Sequence, residues 1–371
     1  MLNNGPAHSL LIIGNGFDLN CQIPSSFEDF FKQVNNFNNF WYLLFSFAFS
    51  NDDYGGEIVV EPIKSKDILW MDVESFIKKI MLSKTPKNNF FRSLELRHGV
   101  YDYISLFSLL FENRFDRSFY NEHEQIRAIK DFFRCKFQEY DETGDKFDMV
   151  DYFYDELVKF EDDFCKYINK ISANVSYHNK SKGLFSLLVG GGACDILSFN
   201  YTSPKTPENN GFNCNSFNHV HGNVNRGEII IGYDSSDLFN NIGKRVRLSK
   251  LYQKLFSNLE SFKLPEKEEV NCIKIYGHSL GDQDYSYFHS IFDYYDISKN
   301  DRISLEFCYT PYQDNEKDNE KIRINYVSSV YRLLNKYSKT FNNANDKIDT
   351  LANQLLLENR LKIRIISKVS S

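Results

Sequence analysis

A chain of 371 residues with 16% aromatic and 25% charged residues has the length and composition for one large α/β domain or two smaller ones, and excludes a disordered chain. A net charge of −6 argues against non-specific binding to a phosphate backbone. The seven scattered cysteines include no C-x-x-C pair, which excludes a zinc ribbon and a thioredoxin-like motif and fits buried, reduced thiols.

In chain order, Leu10-Leu11-Ile12-Ile13 reads as a short strand buried on both faces. Gly14-Asn15-Gly16-Phe17-Asp18 follows as a tight turn, and Pro24-Ser25-Ser26 opens a helix with Phe27, Phe30 and Phe31 on one side. Strand, glycine turn and helix form an arrangement that binds anions through backbone N–H groups. The dinucleotide fingerprint is incomplete, because Leu19 stands where a third glycine belongs. A nucleotide-type ligand and a purely structural turn are both open at this point.

Residues 24–50 look helical, Asn51 to Gly56 looks like a loop, and Ile68 to Ile77 starts a helix with Val73, Phe76, Ile77 and Ile80 on its apolar face. Two further helical patterns use Ile126 to Phe137 and Leu157 to Ile171. After Gly190-Gly191-Gly192, strand-like runs at Asp195–Phe199, Glu228–Ile231, Cys272–Tyr276, Ile303–Tyr309 and Lys362–Ile366 alternate with other elements. These are a turn-rich stretch from Ser203 to Asn215, a basic helix from Lys244 to Phe262, and helices near 315–338 and 345–359. The expected fold is α/β: a Rossmann-like, doubly wound, mainly parallel sheet formed by 1–24 and 183–371, with residues 25–182 as a large helical insertion or subdomain. With no basic leader and no long apolar run, the expected location is the cytoplasm, without membrane contact.

Polar residues fall just beyond the C-terminal ends of the expected strands: Asn15 with Asp18, Asn200, and His278 with Asp282. That edge is where open α/β sheets bind ligands. Asn200 offers either an amide to a ligand or an Asx-turn to the chain. His221 reads as a general base, a ribose contact, or a turn histidine. His219 stands two residues earlier, but neither histidine has an acid or thiol at a ligand spacing, so no metal site is expected. Gly277-His278-Ser279-Leu280-Gly281 formally matches a nucleophile elbow. The one downstream histidine, His289, belongs to the helix that follows, so a second phosphate- or ribose-binding turn fits better than a hydrolase. Phe17 and Tyr201 could stack on a ring or pack in the core. Trp70, Asp72 and Glu74 could form a site wall or pack.

Together these motifs resemble the bacterial abortive-infection AbiH family. The matching pieces are Ile12 to Leu19, Pro24 to Phe27, Trp70 to Glu74, Ser198-Phe199-Asn200-Tyr201-Thr202, His219 to Gly222, Ile230 to Gly232, and Gly277 to Gly281 with Asp284. The resemblance implies defence against bacteriophage by growth arrest or death of the infected cell. A more distant resemblance is to sirtuin-type NAD-binding folds and sirtuin-related NAD hydrolases. Gly14 to Asp18 stands at their glycine turn, Asn200 at their Gln-Asn-Ile-Asp motif, His221-Gly222 at their catalytic His-Gly, and Gly277 to Leu280 at their late Gly-x-Ser-Leu turn. It implies NAD+ as substrate rather than prosthetic group, with nicotinamide–ribose hydrolysis assisted by Asn200 and His221. Gly14, Asn15, Gly16, Phe17, Asp18, Tyr201, Thr202, Gly277, His278 and Ser279 would bind the nucleotide. Thr202 replaces an acid, and the arginine after Ile-Pro and the zinc module are absent, so protein deacylation is not expected. A non-catalytic nucleotide-sensing or partner-binding defence protein and, less well supported, a nuclease are the alternatives. A phage-derived trigger and a second copy of the chain are the partners this reading admits, and nucleic acid is not expected.

Overall fold

In a computed structural model of the chain, the described residues are 8–33, 39–42, 73–74, 77–78, 149–208, 212–234, 243–257, 259, 261–311, 315–341 and 350–369. The chain divides into two compact units. One comprises Met1–Ser25, Cys165–Ile229 and Leu259–Ser371; the other comprises Ser26–Phe164 and Ile230–Asn258. The end of the helical stretch at 43–50, the loop expected at 51–56, Trp70, Asp72, Phe76, Ile80, the helical pattern at 126–137 and residues 345–349 of the helix expected from 345 lie outside the described residues.

The first unit is an α/β layer structure built on a six-stranded sheet in the order β3-β2-β1-β6-β7-β8. The strands are β1 (His8–Ile13), β2 (Gly192–Ser198), β3 (Phe212–His219), β6 (Cys272–Tyr276), β7 (Ser304–Tyr309) and β8 (Leu361–Ile365). Every ladder in this sheet is parallel. The short strands β4 (Gly222–Asn223) and β5 (Glu228–Ile229) pair antiparallel in a separate ribbon.

Period-two alternation between two buried faces explains why β1 is apolar from Leu10 to Ile13. Leu10 and Ile12 face one core, shared with Ile273, Ile275, Leu305 and Phe307. That core also holds side chains of α6 (Tyr285–Tyr295), α7 (Glu316–Ser338) and α8 (Thr350–Leu357). Leu11 and Ile13 face the other core, with Phe17 of α1 (Gly16–Asn20) and Tyr177, Leu184, Phe185 and Leu188 of α4 (Val175–Val189). Each such side chain, fully buried, contributes about 1.5–3 kcal/mol relative to exposure.

Four expectations need correction. Helix α4 was not foreseen; Asn174 caps its start by accepting from the Ser176 N–H, and Gly190 ends it in the left-handed region. The segment ending at Asn215 was expected to be turns, yet its last part belongs to β3, an Asn-rich edge strand with intermittent burial. The strand expected at 228–231 is only Glu228–Ile229 and lies outside the main sheet. The basic helix expected over 244–262 is α5, Lys250–Phe256, preceded by a 3-10 turn at Gly243–Leu248.

The second unit contains α2 (Phe27–Gln33), the first part of α3 (Met149–Ser172), and α5. Phe27 stacks on Phe164 with ring centroids 4.4 Å apart, and Phe30 meets the Phe164 ring edge-on at 5.2 Å. Val73 and Ile77 are helical and fully buried, as their spacing of four requires. Lys250 Nζ and Glu74 Oε2 form a buried ion pair at 2.8 Å.

Candidate functional site

β1 and β6 are neighbours in the sheet, so their C-terminal ends deliver two glycine turns to the same point. The Gly14 N–H donates to the Tyr276 carbonyl at 3.0 Å, the Gly16 N–H to the Gly277 carbonyl at 2.7 Å, and the Phe17 N–H to the Gly14 carbonyl at 2.9 Å. A Cβ on Gly14 would lie 2.6 Å from the His278 Cα, and one on Gly16 would lie 2.7 Å from the Gly277 Cα. The glycines therefore permit backbone-to-backbone contact between the turns. Three donors that the sequence offers to a phosphate are engaged within the protein.

Asp18, on α1, is buried. Its carboxyl accepts from the Tyr177 hydroxyl at 2.7 Å and from the Thr202 hydroxyl at 2.9 Å. Burial lifts its pKa from 3.8 to about 7, opposed by hydrogen bonds from Tyr177, Thr202 and Asn200. The Asn200 amide also donates to the Gly14 carbonyl at 3.0 Å. With its Nδ2 hydrogens directed at Gly14 and Asp18, Asn200 keeps Oδ1 as its acceptor. Asn15 stands at the start of α1 without a side-chain capping bond, and its Oδ1 accepts from the Ser25 hydroxyl at 2.6 Å. Phe17 packs on Phe185 with centroids 4.6 Å apart, and both Phe17 and Tyr201 are core residues.

His221, after β3, places Nε2 3.1 Å from Asp284 Oδ1. His278, after β6, places Nε2 3.3 Å from Asp284 Oδ2. The Leu280 N–H donates to His278 Nδ1 at 2.9 Å, which makes Nε2 the protonated nitrogen of that ring. One carboxylate thus orients two buried imidazoles, each on its own oxygen. Phe199 presents its ring edge-on to both, at 5.4 and 4.8 Å. Leu280 holds φ 55°, a left-handed conformation that costs an ordinary residue of order 1–3 kcal/mol and sits directly beside the cluster. Ser279 is exposed. The acid that meets His278 is Asp284, whereas Asp282 is exposed and lies 3.8 Å from Lys336 Nζ.

His219 and His221 do not converge. The His219 Nδ1–H donates to the Asn200 carbonyl at 3.1 Å, while His221 turns to Asp284. Among the described residues no group of three or more His, Cys, Asp or Glu side chains is arranged to hold a metal ion. His219 instead lines a cleft of about 310 Å3 with Ser203, Phe217, Asn223, Arg226 and Phe262. Burial pushes its imidazole down to about 4, with the Arg226 charge acting in the same direction.

Gly14 to Asp18, Asn200 to Thr202, Gly277 and His278 therefore meet at one sheet edge, and Asp284 ties His221 to His278. Sequence reasoning placed Asp284 in the motif but gave it no role, and it missed Tyr177 because α4 itself was not foreseen. Among the described residues no helix is long and apolar enough to cross a membrane.

A parallel α/β unit with a polar cluster at its C-terminal edge is a class with many chemistries. The family described as Bacteriophage abortive infection AbiH matches residues 10–307, and the chain belongs to that family. Comparison with curated proteins and with solved structures returns no match.

Proposed function

We propose that this protein is a phage-defence effector whose α/β unit binds NAD+ or a related nucleotide and hydrolyses its nicotinamide–ribose bond. Family membership supports the defence role. The observation that carries the chemistry is His221, oriented by Asp284 and packed against Phe199, the residue before Asn200, at the C-terminal edge of the parallel sheet. The strand order, which reverses between β1 and β6, supports this reading, because ligands bind open parallel sheets at such a reversal.

In this reading His221 Nε2–H faces the carboxylate, so Nδ1 of the neutral ring is the base. It takes a proton from a ribose hydroxyl or from the attacking water. The C–N bond breaks with its electron pair leaving on nicotinamide, and water oxygen bonds to the ribose carbon. Asn200 Oδ1 holds the water or a ribose hydroxyl in place while positive charge develops on the sugar. Loss of NAD+ then stops growth of the infected cell, and the second unit senses the infection or joins copies of the chain.

The test is nicotinamide release from NAD+ by purified protein, with and without phage lysate. His221→Ala should lower the rate by about 100-fold or more. Intact NAD+ under every condition would sink the hydrolase. A nucleotide sensor without catalysis is the second reading, favoured by the burial of His221, which limits the access of water to the base. It gains if His221→Ala and Asn200→Ala still bind nucleotide and still block phage.

A further inference from the structure

The cleft beside His219 is chemically distinct from the imidazole cluster. Phe217 and Phe262 supply aromatic surface, Asn223 an amide, and Arg226 a positive charge at an exposed position. The His219 ring lies 5.1 Å from the Phe217 ring. Its hydrogen bonding is fixed from behind: a carbonyl can only accept, so Nδ1 facing the Asn200 carbonyl must carry the proton. The neutral ring therefore presents Nε2 as an acceptor. Its partner there, the Ser203 hydroxyl, stands 3.4 Å away, at the long limit for a hydrogen bond, so a better-placed donor would displace it.

We infer that this cleft is a subsite for a planar nitrogen heterocycle bearing an N–H donor, a carboxamide or an exocyclic amine, joined to a phosphate that meets Arg226. Aromatic walls accept any flat ring, while a fixed neutral acceptor selects the substituent. A carboxylate in the same place sets lone pair against lone pair. Because His219 and Asn200 share a hydrogen bond, a ring held in the cleft adjoins the residue assigned to the ribose. The inference rests on the nucleotide-binding reading above and names the group recognised.

The experiment is equilibrium binding of nicotinamide mononucleotide, nicotinic acid mononucleotide and AMP to the full chain, by calorimetry and ligand-observed NMR. The carboxamide form should bind about tenfold or more tightly than the acid form. Phe262→Ala should weaken it, and Arg226→Ala should weaken both forms alike. Tighter binding of AMP assigns the subsite to the adenine end, within the same chemistry. Equal or tighter binding of the acid form, or no binding of any of the three at millimolar concentration, overturns the inference. NAD+ cleavage is followed in parallel. Selective binding without cleavage leaves the subsite standing and removes the hydrolase, whereas cleavage by Phe262→Ala at the wild-type KM removes the subsite alone.

Discussion

Gly16 and Gly277 meet with no side chain between them: the Gly16 N–H donates to the Gly277 carbonyl at 2.7 Å, and a Cβ on Gly277 would stand 2.7 Å from the Gly16 carbonyl carbon. Gly277 also holds φ +67°. Gly277→Ala should therefore cost the left-handed penalty plus displacement of backbone, about 3 kcal/mol or more together. Gly190→Ala is the control, since Gly190 has φ +70° but nothing within 4 Å of a built Cβ, and should cost only about 1 kcal/mol. Urea midpoints of the two variants measure the difference, and equal losses would mean that the contact between turns carries no stability.

Asp284→Ala removes the acceptor that both His221 and His278 face. The expected loss is about 1–3 kcal/mol for each ring deprived of it. Asp284→Asn keeps one acceptor oxygen and brings an amide N–H2 against the other imidazole, so it should fall between. Imidazole nitrogen NMR should show His278 with Nε2 protonated in the wild type and a changed tautomer in one ring of the Asn variant. Unchanged tautomers and stability in both variants would remove Asp284 from the orienting role.

Asp18 and His219 make opposite contributions to the pH dependence of folding. The Asp18 carboxyl is raised to about 7, so the folded chain keeps a proton that the unfolded chain releases above 3.8. Its contribution to stability falls as pH rises through that window, by at most about 4 kcal/mol. The His219 imidazole is lowered from 6.5 to about 4, so the unfolded chain takes up a proton first and stability falls as pH drops from 6.5 toward 4. Asp18→Asn should gain on the wild type as pH rises from 4 to 7.5, and should show the acid-side loss more plainly. Adding His219→Gln should flatten that loss. Parallel stability curves for wild type and Asp18→Asn would refute the assignment.

In the second unit, Glu74 and Lys250 are both almost fully buried. Removing one charge leaves the other in a poor solvent, so Glu74→Leu or Lys250→Met alone should destabilise by about 3–5 kcal/mol. The double variant should lose less than the sum of the singles. A double-mutant cycle on denaturant midpoints checks this, and strict additivity would show that the pair is not coupled.

β1 was legible because a strand buried on both faces is a continuous apolar run, and Leu10 to Ile13 is one. β3 was not, because an edge strand rich in Asn with alternating exposure carries little of that signal. The glycine turns were visible, and local pattern left a ligand-binding turn and a structural turn both open. Their contact with each other depends on β6 lying next to β1, which is written nowhere near Gly14. Asp282 and Asp284 are equivalent in sequence, both at the start of a helix. The 3-10 turn over Asp282–Asp284 sends one outward and buries the other against the imidazoles. Tyr177 reaches Asp18 across 159 positions, a pairing that single-sequence periodicity does not encode.

The strand order also dictates when the site can exist. β1 lies at the centre of the sheet between β2 and β6, and Asn20, just after it, bonds the Tyr276 hydroxyl 256 residues further on. A chain leaving the ribosome therefore exposes its central strand long before either neighbour has been made. No fragment ending ahead of Cys272 can close the sheet around β1 or bring Gly277 to Gly16. Any ligand that this edge takes therefore meets only chains whose synthesis is mostly over.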